Sequence, residues 1–170
     1  YYNRSLAIAE ELGDKRGMGM SLNNIGIVHW NKGDLDKPLD YFGRSLAIKE
    51  ELGDKRGMGN SLNNIGILHK DKGDYDKALD YYNRSLAIAE ELGDKRGMGM
   101  SLLNIMILRW RKGDLNNPLD YFGRSLAIKE TLGDQRGMGN LLNNIVILYR
   151  DKGDYDSVLA YNNSSLQIAE

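Results

Sequence analysis

The chain has no cysteine among its 170 residues, so disulfides, thiolate nucleophiles and cysteine-ligated metals are all excluded. It also lacks an excess of either charge. Its 23 Lys and Arg stand against 24 Asp and Glu, for a formal net charge of -1. A surface that tracks phosphates carries a clear basic excess, so no nucleic-acid partner is expected. Long apolar runs are missing too. Ile105-Met106-Ile107-Leu108 is among the longest, far short of the roughly 20 residues that cross a bilayer, and no membrane partner is expected. No secretory signal opens the chain. It begins at Tyr1, without Met, inside what reads as a helix, as expected of a piece cut from something longer or freed of a tag. A soluble protein of a reducing compartment fits, cytoplasmic if natural, with the location otherwise open.

What the chain has in quantity is repetition. Gly-Asp-Lys-Arg-Gly-Met-Gly begins at Gly13, Gly53 and Gly93, and returns at Gly133 with Gln135 in place of the lysine. Arg-Ser-Leu-Ala-Ile begins at Arg4, Arg44, Arg84 and Arg124, and Lys-Gly-Asp at Lys32, Lys72, Lys112 and Lys152. The period is 40 with no insertion. A fixed period of this size marks supersecondary units that stack.

Two helices fit within each period. Gly13 reads as the residue past a helix end and Asp14 as the N-cap of the next, so a helix is predicted from Lys15 to about Lys32. Leu22, Ile25 and His29 share one face of it, with Met18 a turn earlier. Gly33 ends it, and Asp34 or Asp36 caps a second helix reaching about Leu52. Pro38 is compatible, because a first turn has no intrahelical donor to lose. Tyr41, Ser45, Ile48 and Leu52 mark the expected buried side of the second helix. Each helix is roughly 17 residues, about 25 Å long. Repeated along the chain, this predicts an all-α array of about nine helices: a leading second-type helix over 1–14, then pairs over 15–52, 55–92, 95–132 and 135–170. No helix of a pair buries its apolar face alone, so the pairs are expected to stack as one array over 1–170.

Leu22-Asn23-Asn24-Ile25-Gly26-Ile27-Val28-His29, followed by Gly33-Asp34-Leu35, resembles the tetratricopeptide repeat, as does Asn64-Ile65-Gly66 with Gly73-Asp74-Tyr75-Asp76-Lys77-Ala78-Leu79-Asp80-Tyr81-Tyr82. The family pattern has a large residue, Leu-Gly, an aromatic three further on, and Gly-Asp-Tyr at the turn. The departures are the period of 40 instead of 34, leucine at 22, 62, 102 and 142 where the family has Trp, and no closing Pro. The resemblance implies a right-handed α-solenoid of antiparallel helix pairs that binds protein partners, with no catalysis, cofactor or small-molecule substrate. It also implies that the first helix of each pair lines a concave groove. The stripes on that helix are Met20, Asn23, Ile27, Trp30; Asn60, Asn63, Ile67, Lys70; Met100, Leu103, Ile107, Trp110; and Asn140, Asn143, Ile147, Arg150. Their spacing puts each set on one helix face. Asn24, Asn64, Asn104 and Asn144 recur beside them. By resemblance they hydrogen-bond a peptide backbone, being donor and acceptor at once; the alternative is that they bridge helices. The third stripe is wholly apolar. If exposed it forms an interaction patch, each buried side chain contributing roughly 1.5–3 kcal/mol gross; otherwise it is ordinary core.

A second pattern lies inside the first. Repeats one and three share Met20/Met100, Trp30/Trp110 and Pro38/Pro118; repeats two and four share Lys49/Lys129, Asn60/Asn140 and Tyr75/Tyr155. An 80-residue unit has been doubled, and its second copy is altered with a bias. Asn23, Gly26, Ser61, Gly66, Ala78 and Asp80 give way to Leu103, Met106, Leu141, Val146, Val158 and Ala160, while Glu51, Lys55, Lys77 and Arg84 give way to Thr131, Gln135, Ser157 and Ser164. Polar-to-apolar exchange at one end is what a contact surface needs. Gly26 and Gly66 sit where the family packs its helices closest, opposite Pro38 and Ala78, so Met106 and Val146 predict splayed helices or side chains turned to a partner. Copies this alike resemble idealised or engineered arrays, though a recently duplicated gene looks similar. The expected interface for self-association, as a closed ring or dimer, is Met100, Leu103, Met106, Ile107, Trp110, Leu141, Val146 and Val158. The alternative is a peptide of another protein in a groove with Met20, Asn24, Ile27, Trp30, Asn64, Asn104 and Asn144. Asn162, Ser164 and Gln167 suit a solvent-facing end cap.

Chemistry has little foothold. Asp34-Leu35-Asp36 and Asp74-Tyr75-Asp76 lack the glycine and distal glutamate of a calcium loop, and helix capping accounts for them. Gly17-Met18-Gly19 follows no strand and precedes no Gly-Lys-Ser/Thr. His29 and His69 are the only histidines, replaced by Arg109 and Tyr149 in the second copy, so neither is a repeated ligand. No metal, cofactor or catalytic set is expected.

Overall fold

The computed structural model describes residues 1–114, 118–154 and 156–160. Among them there is no strand. The helices are α1 (Tyr2–Glu11), α2 (Lys15–Asn31), α3 (Lys37–Glu51), α4 (Lys55–Asp71), α5 (Tyr75–Glu91), α6 (Lys95–Arg111), α7 (Pro118–Leu132) and α8 (Gln135–Lys152). Residues 156–160 are a ninth helical stretch. The architecture is an all-α solenoid of helix pairs. Tyr155, Asn162, Ser164 and Gln167 lie outside the described residues. The chain divides into two compact units, Tyr1–Gly93 and Asp94–Glu170. Within each, every helix packs on the next.

Local chemistry sets the turns. The Asp14 carboxylate accepts a hydrogen bond from the Gly17 amide at 2.9 Å. The same bond recurs at Asp54, Asp94 and Asp134, at 2.9, 3.1 and 2.9 Å. Each takes up an amide that a helix start leaves without an intrahelical partner. Gly13 (φ +66°) and Gly33 (φ +80°) close the preceding helices in the left-handed region, where a Cβ is strained. At the second turn Asp34, and not Asp36, supplies the carboxylate, accepting from the Lys37 and Asp36 amides at 3.1 Å each. Those bonds, Lys37's foremost, hold the Asp34 carboxyl below its ordinary range.

Leu22 and Ile25 are buried, as the helical pattern requires. The second helix departs from the expected line. Ser45 is buried, but Tyr41 and Ile48 are half-buried and Leu52 is exposed; the buried residues of α3 are Pro38, Phe42, Ser45, Leu46 and Lys49. The reason is that α3 packs on α2 and on α4, so its buried sector is wide and centred between them. Phe42 lies there, against Gly26 of α2 and in one cluster with Leu62, Ile65 and Leu68 of α4.

The closest approach of α2 and α3 is at that ring. A Cβ at Gly26 would stand 2.6 Å from Phe42, and one at Gly66 would stand 2.6 Å from Tyr82. The nearest side chain across each glycine is therefore the aromatic ring. A buried bond ties each crossing: the Ser45 hydroxyl donates to the Gly19 carbonyl at 2.7 Å and Ser85 to Gly59 at 2.9 Å. In the second unit Met106 stands in the glycine's place, in one cluster with Phe122. There the Ser125–Gly99 bond stretches to 3.4 Å, and Leu126 is half-buried where Leu46 and Leu86 are buried. The methionine takes up space that the ring and backbone share elsewhere. The matching contact of Val146 falls on position 162, outside the described residues.

Two stability predictions follow from these contacts. Tyr82 is wholly buried and its hydroxyl has no hydrogen-bond partner; burial pushes its phenol up. Phe42 and Phe122 hold the equivalent place. Tyr82→Phe is expected to stabilise the chain by about 1 kcal/mol, read as a raised urea midpoint; a lowered midpoint would show the hydroxyl to be satisfied. Gly26→Ala is expected to cost about 1–3 kcal/mol through overpacking against Phe42, despite the better helix propensity of alanine. A neutral result in the same assay would mean the ring yields freely.

Candidate protein-binding face

The first helices α2, α4, α6 and α8 carry the predicted stripes. Their leading residues Met20, Asn60, Met100 and Asn140 are exposed, and Ile27, Ile67, Ile107 and Ile147 are half-buried further along. In the first unit two pairs of polar groups on this face are spent inside the chain. The Asn64 amide donates to the Asn23 side-chain carbonyl at 3.2 Å, and the Trp30 indole donates to Asp71 at 3.1 Å. Both bonds tie α2 to α4, so for Asn64 the helix-bridging role is the observed one. Asn104 is also engaged. Asn24 and Asn144 are half-buried and make no hydrogen bond among the described residues.

The second unit corrects part of the expected interface. Met106 is 2% exposed and Leu141 0%, so both are interior and offer a partner no surface. The reason is positional: Ser61, which Leu141 replaces, is itself wholly buried, and Gly26, which Met106 replaces, is buried against Phe42. The apolar exchange there enlarges the core. Leu103, Ile107 and Trp110 are half-buried and pack on the cluster of Met106, Leu141, Leu142, Ile145 and Leu148. Val146 and Val158 are half-buried as well. Met100 is 56% exposed. The third stripe is thus an exposed methionine at the head of three half-sunken side chains, not an open patch of four.

The histidines stack. His29 lies on Tyr41 with ring centroids 5.5 Å apart, and His69 lies on Tyr81 at 5.3 Å. Arg109 takes the same place over Tyr121 at 5.4 Å, with the Asp114 carboxylate 3.5 Å away. A stacked planar group explains how arginine can stand in for histidine there. Among the described residues no three His, Cys, Asp or Glu side chains are grouped to hold a metal ion, and no helix is long and apolar enough to cross a membrane. Two groups escaped the sequence reading: the aromatic ring at 42, 82 and 122, and the lysine at 49 and 129. The alternation of Ala9 and Ala89 with Lys49 and Lys129 was the available signal for the second.

Residues 17–91 match the family model of the tetratricopeptide repeat, and the 40-residue period carries the same motifs through the rest of the chain. Over residues 17–91 the chain is similar to the tetratricopeptide repeat. Among solved structures, BtubC (BKLC) from P. vanneervenii is 20% identical with a TM-score of 0.89, over 99% of this chain and 70% of that one. The nearly identical TPR-like repeats of a kinesin-light-chain-type protein from Podosopora anserina are 10% identical with a TM-score of 0.78, over 99% and 83%. A Rap protein complexed with Competence and Sporulation Factor is 18% identical with a TM-score of 0.80, over 89% of this chain and 42% of that one. At such identities the likeness is one of fold. No curated protein matches the sequence. The matched repeats support a protein–protein interaction scaffold.

Proposed function

We propose that the chain is a non-catalytic scaffold that binds an extended peptide segment of another protein along the α6–α8 face of its second unit. The observation that carries this reading is Asn144. Its counterpart Asn64 spends its amide on Asn23; Leu103 stands where Asn23 would be, and among the described residues the Asn144 amide is left without a hydrogen bond. A half-buried amide without a protein partner still has a hydrogen bond to gain, worth about 0.5–1.5 kcal/mol net. A peptide backbone would supply it, since an amide side chain both donates and accepts. Met100, Leu103, Ile107 and Trp110 on α6 supply apolar contacts for the side chains of such a segment. Among proteins of this fold, the Rap protein is seen in complex with Competence and Sporulation Factor, a precedent for an array of this build holding a second molecule.

Self-association through the altered half is the competing reading, and it loses two of its named contacts because Met106 and Leu141 are interior. Near identity of repeats also occurs in the Podosopora anserina protein, so it does not by itself favour an engineered array. Light scattering over a range of concentrations separates the two readings: a constant monomer mass is expected, and a mass that grows with concentration would favour a second copy as the partner. Peptides selected by display on the immobilised chain give the positive test. Leu103→Asn is expected to re-form the amide pair of the first unit and weaken a selected peptide about two- to tenfold, the worth of one hydrogen bond. Unchanged affinity would remove Asn144 from the site.

A further inference from the structure

Each first helix starts with lysine or glutamine beside arginine, and each antiparallel second helix brings its own end to the same place. In the first unit ion pairs close that end, Lys15 with Glu51 and Lys55 with Glu91. Beneath the first pair, Arg16, Gly19, Met20, Ile48 and Lys49 line a cleft of about 240 Å³. In the second unit the glutamate is replaced by Thr131, whose hydroxyl turns back to the Ala127 carbonyl of its own helix at 2.8 Å. Among the described residues Lys95 then has no ion pair or hydrogen bond, and the equivalent cleft measures about 480 Å³.

A second exchange changes how the third cation of that cleft, Lys49 or Lys129, is held. In the first unit Lys49 is only 9% exposed and donates to the Ser61 hydroxyl at 2.8 Å; burial pushes its ammonium down, with Asp54 opposing. The close packing depends on Gly57, whose Cβ would stand 2.9 Å from the lysine stem. Leu141 replaces that serine, and Lys129 reaches instead to Asp134 at 3.1 Å, where it lines the larger cleft. Lys95, Arg96 and Lys129 thus face a single carboxylate, Asp134, already engaged by the Gly137 amide. Met100 and Leu132 are the exposed apolar members of the lining.

We propose that this cleft, between the start of α6 and the end of α7, binds the side-chain carboxylate of an acidic residue with an apolar neighbour in the partner segment. The chain itself shows the chemistry, because its own glutamate occupies the equivalent position on Lys15 and on Lys55. The excess of cations selects an anion, and the lost glutamate leaves room for it. The proposal rests on the peptide-binding reading, since Met100 belongs both to the cleft and to the α6 stripe.

The test is an NMR titration of the full chain with a capped peptide of the sequence Ala-Ile-Lys-Glu-Glu-Leu-Gly, and with the same peptide carrying Gln for both Glu. The glutamate peptide is expected to shift the amides of Gly99, Met100 and Gly133, and the glutamine peptide to bind more weakly. Thr131→Glu, which restores the internal pair, and Lys95→Gln, which removes the cation, should each reduce affinity about two- to fivefold, the range of an exposed ion pair. Circular dichroism checks that both remain folded, and added salt should weaken the wild type more than Lys95→Gln. Equal binding of the two peptides, or undiminished binding to Thr131→Glu, would overturn the carboxylate site while leaving the α6–α8 face standing. If neither peptide shifts any amide, the carboxylate site is overturned. If display-selected peptides also fail to bind, the peptide-binding reading falls with it.

Discussion

Each helix pair of the first unit turns on one crossing, where a first-helix glycine lets a second-helix aromatic ring lie against its backbone. Phe42 against Gly26 and Tyr82 against Gly66 leave no room for a Cβ. The serine one turn along, Ser45 or Ser85, then reaches the carbonyl of the facing helix. The ring does two jobs, since the same Phe42 also belongs to the cluster of α4. Packing within a pair and packing between pairs are therefore not separable. A change at the glycine is felt in the next helix.

The second unit shows such a change absorbed. Met106 fills the space against Phe122, the serine bond lengthens, and Leu126 becomes partly exposed. The exchange at 141 has a different consequence. Replacing buried Ser61 with leucine leaves the neighbouring lysine without its hydroxyl partner, and Lys129 turns to Asp134 instead. The exchange at 103 likewise removes a partner, this time from Asn144. Apolar substitutions inside the unit thus act on its surface indirectly, by giving Lys129 a new partner and removing that of Asn144. Polar groups left unpaired are the ones with most to gain from a partner.

Much of the fold was legible. The aspartate caps, the left-handed glycines and the period of the helices rest on contacts within a few residues, so Asp14 with Gly17, or Gly13 with the helix before it, could be read directly. The face of α2 was legible for the same reason. The face of α3 was misjudged because it packs on two helices, a fact of assembly that a single-helix pattern does not record. The candidate interface was misjudged at Met106 and Leu141 in the same way. Apolar character was visible at both positions, but whether it points inward depends on Phe122 and on neighbours distant in sequence.

By itself the sequence determined the all-α class and the placement of the helices, because backbone capping and helical periodicity are local, and its motifs carried the resemblance to the tetratricopeptide repeat. It also determined that the second copy differs from the first, and where. Only the tertiary structure decided which of those differences are core and which free a surface group. Burial and hydrogen bonding belong to pairs of residues on different helices, 12 positions apart for Lys49 and Ser61 and 41 for Asn64 and Asn23. No local pattern tells a leucine that fills the interior from one that robs an asparagine of its partner.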